Sequence, residues 1–531
     1  MQQKITLIIF FVIATIFGLI LAVDIGQANY EQLGIYATIG IILYFFIHGW
    51  RNVWWFTALL IFSGVVFYQG FFFEADHLFV MMLCLASFMS LLSRGTMSHP
   101  PEFRLAGSRS TSLAVGLLVS YGAAHFLVNY AFPYSPTDYA LKTAAKAYFE
   151  CYASMVCFLW LMIGPYGFTL KPTWTRSLIY IIVFALIGNV AARGFMYLIG
   201  FQAADGLSTG GMEDYYLHVP VINMQAGIYT LRNLSPTACV ILLMIATAPG
   251  WWSQQRPLIK LVVLGAIGLC VIGAVFSGGR ATLLFCIAIF LLVALVRRRV
   301  ALLALMGMSC ALIVAVVNLF SDQINTSAPH YIARSLQMVM WDKGEAVSSI
   351  EGSQETRNAA IQEALKEFRK DNRVLFFGRS VFLITHEDAL VMRNKGIDGF
   401  VQNAMRSGRT HNLITDLLLQ YGIIGCLLYL VAYISVIRMY IKLSKAIPYS
   451  ETVAKALAGA MAIYLSLMLP YQLLGGTFMP AVAALMIGLI RVQLVRHRVG
   501  LPATASVNQA TADRARLTPA RGLPYSLPRA R

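Results

Sequence analysis

Charge is what this chain has least of. Only 12% of its 531 residues are Asp, Glu, Lys or Arg, against roughly 25% for a soluble domain. A chain this poor in charge cannot coat a globule of its size, so a soluble enzyme is excluded. Acidic residues are scarcer still, 24 against 41 basic ones. They are few inside the apolar runs, which weakens a proton-coupled transporter. Strand-length alternation is missing, which argues against a transmembrane β-barrel. The eight cysteines include no Cys-x-x-Cys pair and none lies in the large polar stretch 321–410. Neither a disulfide framework nor a zinc knuckle is indicated. There is no G-x-x-x-x-G-K-[ST] loop and no Asp-x-Asp pair.

What remains is apolar: 58% of the residues are hydrophobic. Runs of about 17–25 apolar residues recur, each long enough to cross a hydrocarbon core. The pattern predicts an all-α polytopic membrane protein of about 14 spans. They lie near 5–23, 33–49, 53–73, 77–93, 112–132, 147–166, 177–200, 228–249, 258–277, 281–296, 300–320, 413–437, 452–473 and 477–495. The first run, Ile5 to Val23, lacks an Ala-x-Ala-like cleavage site and has a single Lys4 before it. It reads as a retained helix, not a signal peptide.

The formal net charge is +17. The basic residues sit between helices, not in a patch interleaved with aromatics, so they follow the positive-inside rule and not nucleic-acid binding. Arg51, Arg94, Arg104, Arg109, Lys171, Arg176, Arg256, Arg297 to Arg299, Arg438, Lys442, Lys445, Arg491, Arg496 and Arg498 mark one side. Acidic connections alternate with them. Both termini are therefore expected in the cytoplasm, with the large loop on the outer side. The chain divides into N-terminal helices (1–200), helices with outer-face arginines (201–320), the large outer loop (321–410), C-terminal helices (411–498) and a disordered basic tail (499–531). Within the loop, Ser353 to Lys370 reads as a helix N-capped by Ser353, with an apolar stripe of Ala360, Ala364, Leu365 and Phe368. Leu375 to Gly378 reads as a short extended piece ending in a turn, followed by a looser polar stretch.

The residues able to do chemistry gather on the predicted outer side. Arg280 follows Ser277-Gly278-Gly279 between two apolar helices. A guanidinium offers forked donors that match phosphate oxygens. Arg232 is expected in the first turns of an inward-going helix, where free N–H groups favour anions. Arg193, at the outer end of the seventh span, is a further candidate. His411 sits where the loop re-enters the membrane, before Asn412, a good helix cap. Its ordinary pKa, near 6.5, suits a general base. A metal reading lacks ligand partners at suitable spacing, so no metal and no cofactor are expected. Arg357, Arg379 and Arg409 in the loop are further phosphate-binding candidates. Gly422 and Gly425 are expected to serve close helix packing.

Arg409-Thr-His411-Asn412, followed by Gly422 and Gly425, resembles the His-Asn…Gly-x-x-Gly signature of the O-antigen ligase and polymerase superfamily. Ser277-Gly-Gly-Arg280 resembles that family's Ser-x-x-Arg turn. Arg232-Asn233 resembles its outer-face Arg/Asn segment, and Glu355-Thr-Arg357-Asn with Leu375-Phe-Phe-Gly378 resembles the start of its periplasmic loop. The likeness spans about 220–440. It implies a GT-C-like, inverting, metal-independent glycosyltransferase of the bacterial inner membrane, with the large loop periplasmic. The donor would be a glycan on undecaprenyl diphosphate, and the acceptor lipid A-core for a ligase or a lipid-linked glycan for a polymerase. Arg280, Arg232 and Arg357 would bind the diphosphate and His411 would be the base. The main alternative is a polysaccharide-related transporter or lipid flippase, which would instead line a central cavity with polar residues.

Overall fold

The computed structural model describes residues 53–63, 83–85, 88, 105, 107–128, 152, 154–164, 174–198, 224–277, 279–298, 300–327, 332–333, 336, 339–341, 347–379, 396–407, 410, 412–448, 452–475 and 481–500. The expected spans 5–23 and 33–49, most of 77–93, and the basic tail lie outside them.

Most of the described residues are helical, and no strand occurs among them. The bundle contains α1 (Val53–Ser63), α2 (Ser108–Phe126), α3 (Ser154–Ile163), α4 (Trp174–Leu198), α5 (Met224–Ala246), α6 (Pro257–Phe276), α7 (Arg280–Val296) and α8 (Val300–Leu319). The loop supplies α9 (Val347–Lys370), α10 (Asn372–Phe377) and α11 (Gly396–Ser407). The bundle resumes with α12 (Leu413–Ala446), α13 (Thr452–Gly475) and α14 (Ala481–Gly500). Among the described residues three helices, within α6, α12 and α13, are long and apolar enough to cross a membrane. Five shorter apolar stretches, in α3, α4, α5, α7 and α14, accompany them.

Apolar side chains cover both faces of these helices, and the fold sorts them. Val263, Cys270 and Ala274 of α6 are buried against α5, while Leu258, Leu261 and Leu264 point outward; Leu261 is 70% exposed. An apolar outer surface on a bundle suits hydrocarbon and not water. Small residues let the helices approach. A Cβ on Gly459 would meet the Met244 methyl at 2.5 Å, and one on Gly488 the Trp54 ring at 2.5 Å.

These contacts fix which helix ends lie together. Gly107, just before α2, touches Lys442 and Met439 near the end of α12. Arg297 at the end of α7 donates to the Met244 carbonyl at the end of α5. Ser444 of α12 donates to Lys455 of α13, which is close to Gly459 and hence to Met244. One end of the bundle thus holds the start of α2 and the ends of α5, α7 and α12. The opposite end holds the start of α5, the α6–α7 turn, the end of α2 and the start of α12, where the loop joins.

Arg491 is one of the basic residues expected to mark one side of the membrane. It is buried, and its guanidinium donates to the carbonyls of Leu161 (3.2 Å) and Gly164 (2.6 Å). The last carbonyls of a helix lack internal partners and carry the negative end of its dipole, so α3 gives this cation a reason to be inside.

The loop also differs in detail. Its long helix starts at Val347, so Ser353 is inside it and not its N-cap. Ala360, Ala364 and Phe368 are buried as the stripe predicts, but Leu365 is 41% exposed. Positions 360, 364 and 368 share a face, and Leu365 falls off it. Residues 372–377 form a helical turn instead of an extended piece, because Asp371 caps it by accepting from the Arg373 N–H at 2.8 Å. The stretch called loose contains α11. Ala364, Phe368 and Met405 form a small core with Leu419 of α12, flanked by Val374, Leu375, Val401 and Leu418. The loop therefore shares its core with a bundle helix.

Candidate functional site

The Ser277–Arg280 turn lies where the sequence puts it, between α6 ending at Phe276 and α7 beginning at Arg280. Ser277 is fully buried and explains its own presence. Its hydroxyl donates to the Ala274 carbonyl at 2.7 Å and accepts the Gly279 N–H at 3.2 Å. Gly279 needs its missing side chain, since a Cβ there would meet Thr282 Oγ1 at 2.7 Å and Arg232 Nε at 3.3 Å. No side chain caps α7 at Gly279. The first N–H groups of α7 therefore face whatever approaches the turn.

Arg232 is the neighbour that closes this turn. Its Nε donates to the Ser277 carbonyl at 3.1 Å. The two arginines singled out in separate parts of the sequence thus belong to one local structure. The reason for Arg232's position needs correcting, however. Helix α5 begins at Met224, so Arg232 is beyond its first two turns and the free N–H groups of a helix start are not beside it in its own helix. Pro236 lies inside α5, where it cannot donate back to the Arg232 carbonyl. The anion-favouring helix start at this place is that of α7.

Arg193 lies on α4, three residues after Val190, whose methyl is 3.7 Å from the place of a Cβ on Gly273 of α6. Its turn of helix is therefore at the same end of the bundle. The side chains of Arg193 and Arg280 lie outside the described residues, as do Arg409 and His411.

The residues on either side of His411 are described and well held. Thr410 is fully buried and donates both its N–H, at 2.5 Å, and its hydroxyl, at 2.7 Å, to Asp416 Oδ1. Asn412 is the expected cap: its Oδ1 accepts from Ile414 N (3.1 Å) and Thr415 N (3.2 Å). Leu413 to Ala446 then form α12, broken at Gly422, where φ is 66° and ψ is −172°.

Gly422 serves close helix packing as expected, but its partner is α10 of the loop and not a bundle helix. It receives the loop: a Cβ there would strike the Phe376 carbonyl group and the Phe377 nitrogen. Gly425 behaves as expected, lying against Tyr121 of α2. Around this break Arg379 N donates to the Leu419 carbonyl at 2.8 Å, and Tyr121 donates its hydroxyl to the Tyr421 carbonyl at 2.7 Å. His125 Nε2 is 2.8 Å from the Phe377 carbonyl. A carbonyl only accepts, so Nε2 carries the proton.

The other loop arginines part ways. Arg379 is committed internally, its NH1 donating to both Glu367 oxygens at 2.8 and 2.9 Å. Arg357 lies one turn before Ala360 on the same side of α9 and is exposed, free to meet a ligand. Sequence reasoning missed Asp416, Tyr121 and His125. Asp416 was visible as a carboxylate inside Leu413-Ile-Thr-Asp-Leu-Leu-Leu, an expensive place for charge.

Residues 265–430 match the family model described as O-antigen ligase. This segment is of the O-antigen ligase family. The match begins inside α6 and ends inside α12, so it contains the Ser277–Arg280 turn, the loop, His411 and the Gly422 break, but not Arg232, His125 or Tyr121. The match covers less than a third of the chain, and it supports an O-antigen ligase- or polymerase-type membrane enzyme. No curated protein matches the chain.

Proposed function

We propose that the protein is an inverting, metal-independent glycosyltransferase. It moves a glycan from undecaprenyl diphosphate to an acceptor hydroxyl at the periplasmic face. The acceptor is lipid A-core if the enzyme is a ligase, or another lipid-linked glycan if it is a polymerase. The observation that carries this reading is Arg232 folded onto the turn that starts α7 with Arg280, at the bundle end where Thr410 and Asn412 bracket His411.

The chemistry needs little else. The acceptor oxygen attacks the anomeric carbon from the face opposite the diphosphate, and the carbon–oxygen bond to the diphosphate breaks with its electron pair. Negative charge grows on the departing diphosphate. Arg280, Arg232 and the first N–H groups of α7 stabilise it, with Arg357 reaching in from the loop. His411 takes the acceptor's proton as the new bond forms. Arg193, Arg409 and Asn412 support this arrangement, and Arg379 belongs to the loop's own structure.

Purified protein in liposomes, supplied with a lipid-diphosphate-linked glycan and EDTA, tests the reading with and without lipid A-core. Glycosylated lipid A-core identifies a ligase. Longer lipid-linked glycan in its absence identifies a polymerase. Loss of all product in EDTA, restored by a divalent cation, overturns metal independence. Glycan lipid crossing the bilayer with no product in either arm supports the flippase alternative instead.

A further inference from the structure

Asp416 has a role that the transfer chemistry above does not use. It lies in the first turn of α12 and is only 5% exposed. A carboxylate there is favoured by the helix dipole, but burial in an apolar helix is costly without hydrogen bonds. Thr410 supplies two, both to Oδ1. On the other side of His411, the Asn412 carbonyl accepts the Asp416 N–H at 2.8 Å, and its side chain caps the helix. Thr410, Asn412 and Asp416 are thus joined by hydrogen bonds that span one intervening residue. Covalent geometry keeps the His411 Cα about 3.8 Å from each of two fixed neighbours.

We infer that Asp416 is a positioning residue for His411, holding the segment 410–412 so that the imidazole meets the acceptor hydroxyl in one geometry. The inference rests on His411 being the base. Asp416 accepts from Thr410 and takes no proton from substrate. A plain helix-capping role is already filled by Asn412, and Asp416 bonds backward to the residue before the histidine, which a cap does not require.

The test compares Asp416→Asn, Asp416→Ala, Thr410→Val and His411→Ala in the reconstituted transfer assay, with kcat, KM for the lipid-linked donor and the pH profile measured for each. Asp416→Ala is expected to lower kcat about 10- to 100-fold, the effect of a small misplacement of a reacting group. Donor KM and the acid limb of the profile stay in place, because the base itself is unchanged. Asp416→Asn keeps an oxygen that accepts both Thr410 bonds and retains most of the rate. Thr410→Val keeps the N–H bond and loses the hydroxyl, so its kcat falls between the two. The inference is overturned if Asp416→Ala keeps full kcat, raises only donor KM, or removes the acid limb, the last making Asp416 itself the base. It is equally overturned if Asp416→Asn is as slow as Asp416→Ala. Should Asp416→Ala not reach the membrane, Thr410→Val carries the test, and a wild-type kcat there overturns it. Normal turnover in His411→Ala defeats the base reading itself. A dead His411→Ala beside full-rate Asp416→Ala and Thr410→Val defeats only the positioning.

Discussion

Gly378 of the loop and Gly422 of α12 each press on the backbone that leads into the other, and neither has room for a side chain. A Cβ on Gly378 would strike the Gln420 carbonyl group and the Tyr421 nitrogen; one on Gly422 would strike Phe376 and Phe377 backbone. Both have φ near 70° with ψ near 180°, at 77° and −174° and at 66° and −172°. That combination is open almost only to glycine. The pair lets two backbones press together, and the Arg379 N–H closes the seam on the Leu419 carbonyl.

Alanine at either glycine should therefore undock α10 from α12. The backbone conformation alone costs about 1–3 kcal/mol for a residue with a Cβ, and the collision adds to it. Gly378→Ala and Gly422→Ala are expected to lower the melting temperature in detergent by several degrees and speed proteolysis of the loop. Gly116→Ala is the control, since nothing lies within 4 Å of a Cβ there; it should be neutral or slightly stabilising. Unchanged melting of Gly422→Ala would show that the seam bears no weight.

His125 holds the same seam from α2. Its Nε2–H to the Phe377 carbonyl ties a bundle helix to the loop, and its ring packs edge-on against Tyr421 with centroids 5.4 Å apart. His125→Phe keeps a ring and removes the donor, losing a part-buried hydrogen bond worth about 0.5–1.5 kcal/mol. Hydrogen exchange should accelerate at the amides of Gly378 and Arg379, which are bonded to Val374 and Leu419. Exchange at wild-type rates in this variant would mean that His125 only fills space.

How much of this was readable beforehand divides along a physical line. Apolar runs set the bundle helices, and α6 and α7 meet the sequence boundaries closely because two glycines follow Phe276. Asn412 was legible as a cap because its role is local. The docking of Phe376–Arg379 on α12 was not, because it depends on two glycines more than forty positions apart and on a backbone amide that any residue has. The burial of Arg491 was illegible for a similar reason, because only the fold brings the carbonyls of Leu161 and Gly164 to it. The Arg232–Ser277 contact lies between these cases. Both residues were visible as candidates, but their meeting required α5 and α6 to pack antiparallel.

The loop arginines give a third prediction. Arg379 spends its guanidinium on Glu367, with both side chains about a quarter exposed. Arg379→Ala should destabilise the loop, by an amount within the roughly 0.2–1 kcal/mol of partly exposed pairs plus the loss of its packing. Donor KM should not change in protein that remains folded. Arg357→Ala should do the reverse, leaving the melting temperature alone while raising donor KM. A donor-binding defect in Arg379→Ala without loss of stability would reassign the ligand role from Arg357 to Arg379.

The sharpest prediction concerns the pair at the α7 turn. Arg280→Lys keeps the charge and loses the fork, so it should reduce kcat/KM at least about 100-fold while the protein accumulates normally. In the proposed site Arg232 would have two tasks, holding the Ser277 carbonyl with Nε and bearing the charge that meets the diphosphate. Lysine at this position can serve one of them but not both. Arg232→Lys should therefore fall between wild type and Arg232→Ala. Because Arg232 shapes the turn that presents Arg280, the Arg232→Ala/Arg280→Lys double variant should lose less than the product of the two single losses. Losses that simply multiply would mean that the two arginines act independently, and that the contact between Arg232 and Ser277 does not set the geometry of the diphosphate site.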